Sequence, residues 1–436
     1  MSKIYKKYRK EIQQLLNVDD LTMDVLEDEC DRKKVNGLLS KYPCFFYIVL
    51  SILSRCLFFV CGVKRRMNVT DEDFVFVSCP DSIFRTKTID LIAHGLKYQI
   101  IYLPSFHLSA ALKYARYFKN EGVKALFPTF RISDILKARS TLKKMKKVVS
   151  NCEDFNEYNT FFLQMTSYLI YANLVNRHSS TISTFKGKWI MEHQKFFFIP
   201  LISFLRSNKI ESVMLQHGCF FKPSYNYIPL YTNKVLTCCE LEKQLFVEHG
   251  VDSSNVIVFG APLQTLASDV NSEAPQFDLL LLMTIFNANG SLQMNILKHL
   301  KESYPNLKVL VRMRPRSREN DMKCLGESLD GFVVSEPGTP IGADLSKADR
   351  VICFSEDATF EVLNAHKSFL LVGTKQTMNE ELYDKCTTEV NYKEQIEMLL
   401  EGKTYSPFTK EEELYMIGEK DIAILHDKFV SFIRSK

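Results

Sequence analysis

The sequence is short of the features that would place it in a specialised class. Its 12 cysteines include no pair of CxxC knuckles, so structural zinc is not expected, and Cys238 and Cys239 are immediate neighbours. No charged region, apolar core and small-residue cleavage site stand in that order at the start. A reduced, cytoplasmic setting is therefore expected, with most thiols serving as small buried hydrophobes. No repeat of solenoid length and no low-complexity tract is present. Charge of one sign is missing too: 56 Lys and Arg face 51 Asp and Glu, a net of +5, too balanced to imply nucleic acid. With 46% hydrophobic and 25% charged residues the chain is globular, not disordered. At 436 residues it exceeds one ordinary core, so two domains with added helices are expected.

Charge is nevertheless concentrated locally, in Lys3, Lys6, Lys7, Arg9 and Lys10 and again in Lys143, Lys144, Lys146 and Lys147. Either cluster reads as a solvated helix face or as a surface for anionic lipid or phosphate. Pro43 to Val63, PCFFYIVLSILSRCLFFVCGV, approaches bilayer-spanning length, but Arg55 sits near its middle and basic residues flank both ends. A central arginine costs roughly 2.5–3.5 kcal/mol on insertion scales. A span, an interfacial helix and a packed helix all remain open.

Residues 1–70 read as a helical extension, with membrane contact left open, because apolar and charged residues recur at helical spacing with little strand punctuation. Beyond Asp71, short apolar runs alternate with amphipathic stretches: Phe74 to Val77, Ile100 to Leu103 and Val123 to Phe127. That alternation predicts parallel strands with crossover helices. A long helical region is expected from Phe155 to about Arg206. Strands at Val213 to Gln216, Val235 to Thr237 and Val256 to Phe259 then close a first Rossmann-like domain over 71–265. The small polar stretch from Leu263 to Gln276 reads as a linker. A second domain over 276–410 would carry strands at Leu279 to Met283, Val309 to Arg312, Phe332 to Ser335, Val351 to Phe354 and Phe369 to Val372. A helix over 411–436 is expected to pack back on one of the domains. The fold class is thus α/β, two Rossmann-like domains facing across a cleft, with ligands expected outside the carboxyl ends of the strands.

Three strand exits carry candidate chemistry. At the first, Gln216, His217 and Gly218 are followed by Lys222; the glycine lets backbone approach a ligand, and His217 can donate to phosphate or exchange a proton near neutral pH. A satisfied structural histidine reads from the same residues. At the second, Arg312, Arg314 and Arg316 follow one strand, where guanidinium forks suit phosphate oxygens, although an exposed basic loop has the same composition. At the third, Ser355, Glu356, Asp357, Ala358, Thr359, Phe360 and Glu361 join a strand to a helix. Ser355 and the helix amides suit a phosphate, and Glu361 suits ribose hydroxyls or plain solvent.

The order of strand-Gln-His-Gly, a first-domain close at Val256 to Pro262, an Arg-Pro strand exit and then Ser-Glu-x-Ala-Thr-x-Glu resembles glycosyltransferases of the GT-B fold. It is most similar to capsule and teichoic-acid enzymes, including capsular Kdo transferases, bacterial polysialyltransferases and CDP-glycerol glycerophosphotransferases. The similarity covers roughly Phe74 to Thr374 and is one of motif order. It implies a nucleotide-activated sugar donor held by the second domain, an acceptor glycan or lipid-linked glycan held by the first, no cofactor and no required metal. The nucleotide, whether CMP, CDP, UDP or GDP, stays open. On this resemblance Arg314 and Pro315 occupy the place of a His-Pro pair and Ser355 that of a phosphate-binding serine. Arginine cannot shuttle protons there. Donor contacts are accordingly expected from Arg312, Arg314, Arg316, Ser355, Glu356, Thr359 and Glu361, with Gln216, Gly218, Lys222 and Gly260 elsewhere in the cleft. Base candidates are His217, Glu192 and Asp81. The expected activity is glycosyl transfer in surface-polysaccharide synthesis at the inner face of the plasma membrane. A polyol-phosphate transferase, a sugar-nucleotide 2-epimerase and a non-catalytic assembly scaffold are the alternatives.

Overall fold

A computed structural model describes residues 3–32, 44, 47–49, 51–53, 71–78, 89–103, 125–126, 129–149, 155–194, 198–216, 229–260, 275–284, 286–314, 317–354, 358–374, 378, 383–402, 406–419 and 421–435. Among these, two all-parallel sheets organise the chain. Before the first sheet come helices α1 (Lys3–Leu16) and α2 (Asp20–Arg32). The sheet's strands are β1 (Phe74–Ser78), β2 (Tyr98–Tyr102), β3 (Ala125–Leu126), β4 (Lys188–Met191), β5 (Ser212–Leu215), β6 (Lys234–Thr237) and β7 (Val256–Val258). Between them run α3 (Ile132–Val148), α4 (Phe155–Arg177), α5 (Ser179–Thr184), α6 (Ile199–Ser207) and α7 (Glu240–Glu248). Their spatial order is β3-β2-β1-β4-β5-β6-β7.

Parallel strands covered on both faces need apolar side chains pointing both ways, and β1 supplies them. Val75 and Val77 join Ile101, Trp189 and Met191 on one face, where α3, α4 and α6 pack. Phe74 and Phe76 join Ile100, Ile190 and Val213 on the other. Helices α1 and α2 are built into the first of these layers: Ile4, Ile12, Met23 and Leu26 belong to its core. A buried hydroxyl pair, Thr22 Oγ1 and Tyr231 OH at 2.7 Å, ties α2 to the segment before β6. The helical residues around Tyr47 also lie on this layer, with Tyr47 OH donating to Ser167 Oγ at 2.8 Å. No helix among the described residues is long and apolar enough to cross a membrane.

One expectation fails here. The stretch from Phe155 to Arg206 is not continuous helix, since β4 interrupts it and forms the middle of the sheet between β1 and β5. Lys188-Trp189-Ile190-Met191 is a four-residue strand with no alternation, because both faces are buried, and it has helices close on either side.

The second sheet contains β8 (Phe277–Leu282), β9 (Val309–Arg312), β10 (Val333–Val334), β11 (Ala348–Cys353) and β12 (Ser368–Leu371), in the order β10-β9-β8-β11-β12. Helices α8 (Phe286–Ser303), α9 (Arg318–Leu325), α10 (Ile341–Ser346), α11 (Thr359–Asn364) and α12 (Tyr392–Leu400) follow their strands in turn. Leu279 and Leu281 face α8 and α12 on one side, while Leu280 and Leu282 face α10 and α11 on the other. The chain closes with α13 (Lys410–Met416) and α14 (Ile422–Arg434). Met416 sits in the second domain's core, whereas Leu425, Phe429 and Ile433 of α14 cover the Phe74/Phe76 face of the first sheet. The chain thus returns to the domain where it began.

Two glycines permit that return. Gly260, just beyond β7, has φ +133°, and a Cβ there would press on Leu425 and lie 2.7 Å from the Glu419 carbonyl oxygen. A Cβ on Gly418 would overlap the Cys238 carbonyl oxygen and lie 3.3 Å from Gly260 Cα.

Candidate functional site

In an open parallel sheet the crevice opens where the strand order reverses direction. In the first sheet that point lies between β1 and β4, and the register pairs Val77 with Met191. The next residue on each strand, Ser78 and Glu192, therefore points to the same face at neighbouring exits. The two are joined: Ser78 Oγ donates to Glu192 Oε2. The Glu192 N–H donates to Val77 O at 3.0 Å, which holds the backbone in line with β1. Both side chains are buried, at 0% and 1% exposure, so a carboxylate stands fixed at the sheet's reversal point.

The residues that follow extend this edge. The Gln194 N–H donates to His193 Nδ1 at 3.0 Å, and the His193 ring stacks on Phe198 with centroids 6.1 Å apart. Gln194 clamps the stretch before β6: Oε1 accepts the Tyr231 N–H at 2.7 Å and Nε2 donates to Pro229 O at 2.9 Å. Gln216, at the β5 exit beside β4, is buried, and its N–H donates to Leu236 O at 2.9 Å. Ser78, Glu192, His193 and Gln216 thus form a row of polar groups at three adjacent strand ends.

The second sheet reverses between β8 and β11. Its crevice begins at Met283 and Thr284 on one side and Phe354 on the other, with Phe354 N–H donating to Leu282 O at 2.9 Å. The β9 exit lies next to β8, and its two described arginines differ. Arg312 Nη1 donates to Asp344 Oδ2 at 2.6 Å and to Thr339 O at 2.8 Å. Ser335 Oγ donates to the same carboxylate oxygen at 2.6 Å, and Asp344 is 1% exposed. Arg312 is therefore part of a buried ion pair that ties β9 to α10. Arg314, two residues on, is half-buried in a turn closed by Ser317 N–H to Arg314 O at 3.2 Å.

Neither a family model nor a curated protein matches this chain by sequence. Solved structures do match it by shape. The UDP-GlcNAc 2-epimerase from Neisseria meningitidis bound to UDP-GlcNAc superposes with a TM-score of 0.51 at 14% identity, over 84% of this chain and 98% of that one. The 2-epimerase from Methanocaldococcus jannaschii gives 0.51 at 10% identity, over 84% and 100%. A putative UDP-N-acetylglucosamine 2-epimerase from Listeria monocytogenes gives 0.51 at 11%, over 85% and 96%. The chain has the GT-B fold. Identity at this level establishes the architecture alone, and that architecture is the two Rossmann-like domains expected from the strand pattern.

Within the GT-B frame the expected site residues separate. Glu192 and Gln216 lie at the first domain's crevice. Thr359 is wholly buried at the start of α11, inside the second domain. Glu361 is half-buried one turn edge further along the same helix. Gly260 lies beneath Leu425 and Glu419 where the chain crosses between domains, so its role in the fold is close packing. Asp81, His217, Gly218, Lys222, Arg316, Ser355 and Glu356 lie outside the described residues. Ser78, His193 and Thr284 went unnoticed in the sequence. The cue for the first two was the strand β4, which the helical reading had covered. Of the described cysteines, Cys238, Cys239, Cys353 and Cys386 are buried and form no disulfide with another described residue.

Proposed function

We propose that the chain is a nucleotide-sugar enzyme, and specifically a glycosyltransferase that moves a sugar from a nucleotide-activated donor to a surface glycan or its lipid-linked precursor. The observation that carries this reading is the buried Ser78–Glu192 pair at the reversal point of the first sheet. A carboxyl group positioned at that edge suits proton removal from an acceptor hydroxyl, the task an inverting transfer requires. For the donor half, Arg314, half-buried just beyond the β9 exit beside β8, is the guanidinium proposed to meet the donor's phosphates. Charge developing on the departing nucleotide would then be met by a fixed cation, and Glu361 is proposed for the ribose hydroxyls.

A second reading has a specific observation in its favour, because the three solved structures named above carry the 2-epimerase name and the one from Neisseria meningitidis holds UDP-GlcNAc. An epimerase would use Glu192 to exchange the proton at the sugar C2, with no acceptor and no net release of nucleotide.

The experiment is a panel of CMP, CDP, UDP and GDP sugars read by thermal shift and nucleotide release, with and without a glycan acceptor. Transfer predicts stabilisation by one nucleotide class and release that depends on acceptor. Acceptor-independent inversion at C2, followed by NMR, selects the epimerase. No shift with any nucleotide at millimolar concentration sinks both and leaves the assembly scaffold.

A further inference from the structure

Two features that the cleft does not use come together on the outer side of the first domain. Val49, Ile52 and Leu53, at helical spacing i, i+3, i+4, are 37%, 50% and 47% exposed. Ser51, between them, donates through Oγ to Phe130 O at 2.7 Å, and the Tyr47 and Phe130 rings meet edge-on with centroids 5.6 Å apart. This turn therefore lies against the start of α3, where Ile132 and Leu136 are 42% and 52% exposed. Five of the exposed large hydrophobic side chains among the described residues are thus carried by this turn and by the start of the helix it touches.

The rest of the same helix is cationic. At 3.6 residues per turn, Ile132, Leu136, Arg139, Lys143 and Lys147 form one stripe, and Lys137 and Lys144 stand beside it, all exposed. The single acid of α3, Asp134, is buried and bound by Arg177 Nη2 at 2.8 Å, so it does not offset the outer charge. Helix α1 packs against α3 and adds exposed Lys7 and Lys10. An aliphatic cluster continuous with a row of cations matches a bilayer surface: the aliphatics enter the headgroup boundary while lysines meet lipid phosphates. A soluble acidic partner would be served by the cations alone and would leave the aliphatics unexplained.

We propose that this stripe, from Val49 and Leu53 through Ile132 and Leu136 to Lys143 and Lys147, docks the first domain onto an anionic phospholipid surface. The inference holds whichever reaction the cleft performs. It differs from a membrane span, for which no described helix is long and apolar enough.

The test is sedimentation of the full-length protein with vesicles of phosphatidylcholine, alone or mixed with phosphatidylglycerol, across a salt series. Retention is expected on the anionic vesicles only, falling as salt rises. Affinity should drop roughly fivefold for each cation removed in Lys143→Gln and Lys144→Gln, and several-fold more in Leu136→Ser. All three positions are exposed, so the variants should melt with the wild-type protein. Absence of retention at low salt, or retention unchanged in the triple variant, overturns the proposal. So does equal binding to heparin that ignores Leu136→Ser, which would assign the stripe to a soluble polyanion.

Discussion

The two arginines at the β9 exit make opposite predictions that one assay separates. Asp344→Ala removes the carboxylate that receives Arg312 Nη1 and Ser335 Oγ, each at 2.6 Å. Arg312, with its side chain 16% exposed, keeps Thr339 O as an acceptor but loses its counter-charge. Breaking a buried pair from one side costs about 3–5 kcal/mol, and the remaining carbonyl places this case near the lower end, about 3 kcal/mol. At ~2–4 °C per kcal/mol for a domain of this size, the melting temperature should fall by roughly 6–12 °C. Replacing both partners, Arg312→Leu with Asp344→Leu, should recover much of the loss, because no charge is then left buried alone. Arg314→Ala should melt within a few degrees of wild type yet lose the upward shift given by the donor nucleotide. Asp344→Ala should melt early and keep that shift. If Asp344→Ala abolishes nucleotide stabilisation at an unchanged melting temperature, or Arg314→Ala unfolds the protein and keeps it, the assignment of structural and phosphate roles is wrong.

Three further expectations concern other parts of the molecule. Glu192→Gln retains an oxygen for the Ser78 hydroxyl but cannot take a proton, so turnover should fall by ~10²–10⁴ with nucleotide-induced stabilisation intact; undiminished turnover would remove Glu192 from the chemistry. Gly418→Ala drives a methyl group into the Cys238 carbonyl, a backbone atom that cannot swing aside, and should cost at least ~1–3 kcal/mol in denaturant melts. His178 is pushed down to about 4 by burial, aided by the nearby Arg177 and Arg131 cations. Between that value and the ordinary 6.5 it is neutral when folded and charged when unfolded, so the unfolded state holds the extra proton and stability declines as pH falls through this window. The melting temperature of His178→Gln should decline less over the same range; an identical slope would assign the decline to other groups.

How far the sequence reaches into this molecule follows from the range of each interaction. Strands β1 and β8 are legible because burial on both faces makes Phe74 to Val77 and Leu279 to Leu282 continuous apolar runs, and their polar exits mark where ligands are sought. The same property hid β4, since three apolar residues after Lys188, with helices close on either side, carry no period to separate strand from helix. Glu192 could be named as a carboxylate of interest, but its partner could not. Ser78 precedes it by 114 positions, and the pair exists only because β4 lies beside β1 at the sheet's reversal, a fact of topology. The arginines show the same limit from the other side. Along the chain Arg312 and Arg314 are equivalent forks at one strand end, and local chemistry offers no reason to prefer either. The choice is made 32 positions later by Asp344, which arrives from α10 to neutralise Arg312 in a setting where an unpaired charge would cost several kcal/mol. Burial of that pair makes Arg312 a structural cation, a role its position in the sequence does not reveal. In a fold whose crevices are assembled from strand ends, the residues of a site can be read singly from the sequence, and their division of labour depends on which of them the core has already engaged.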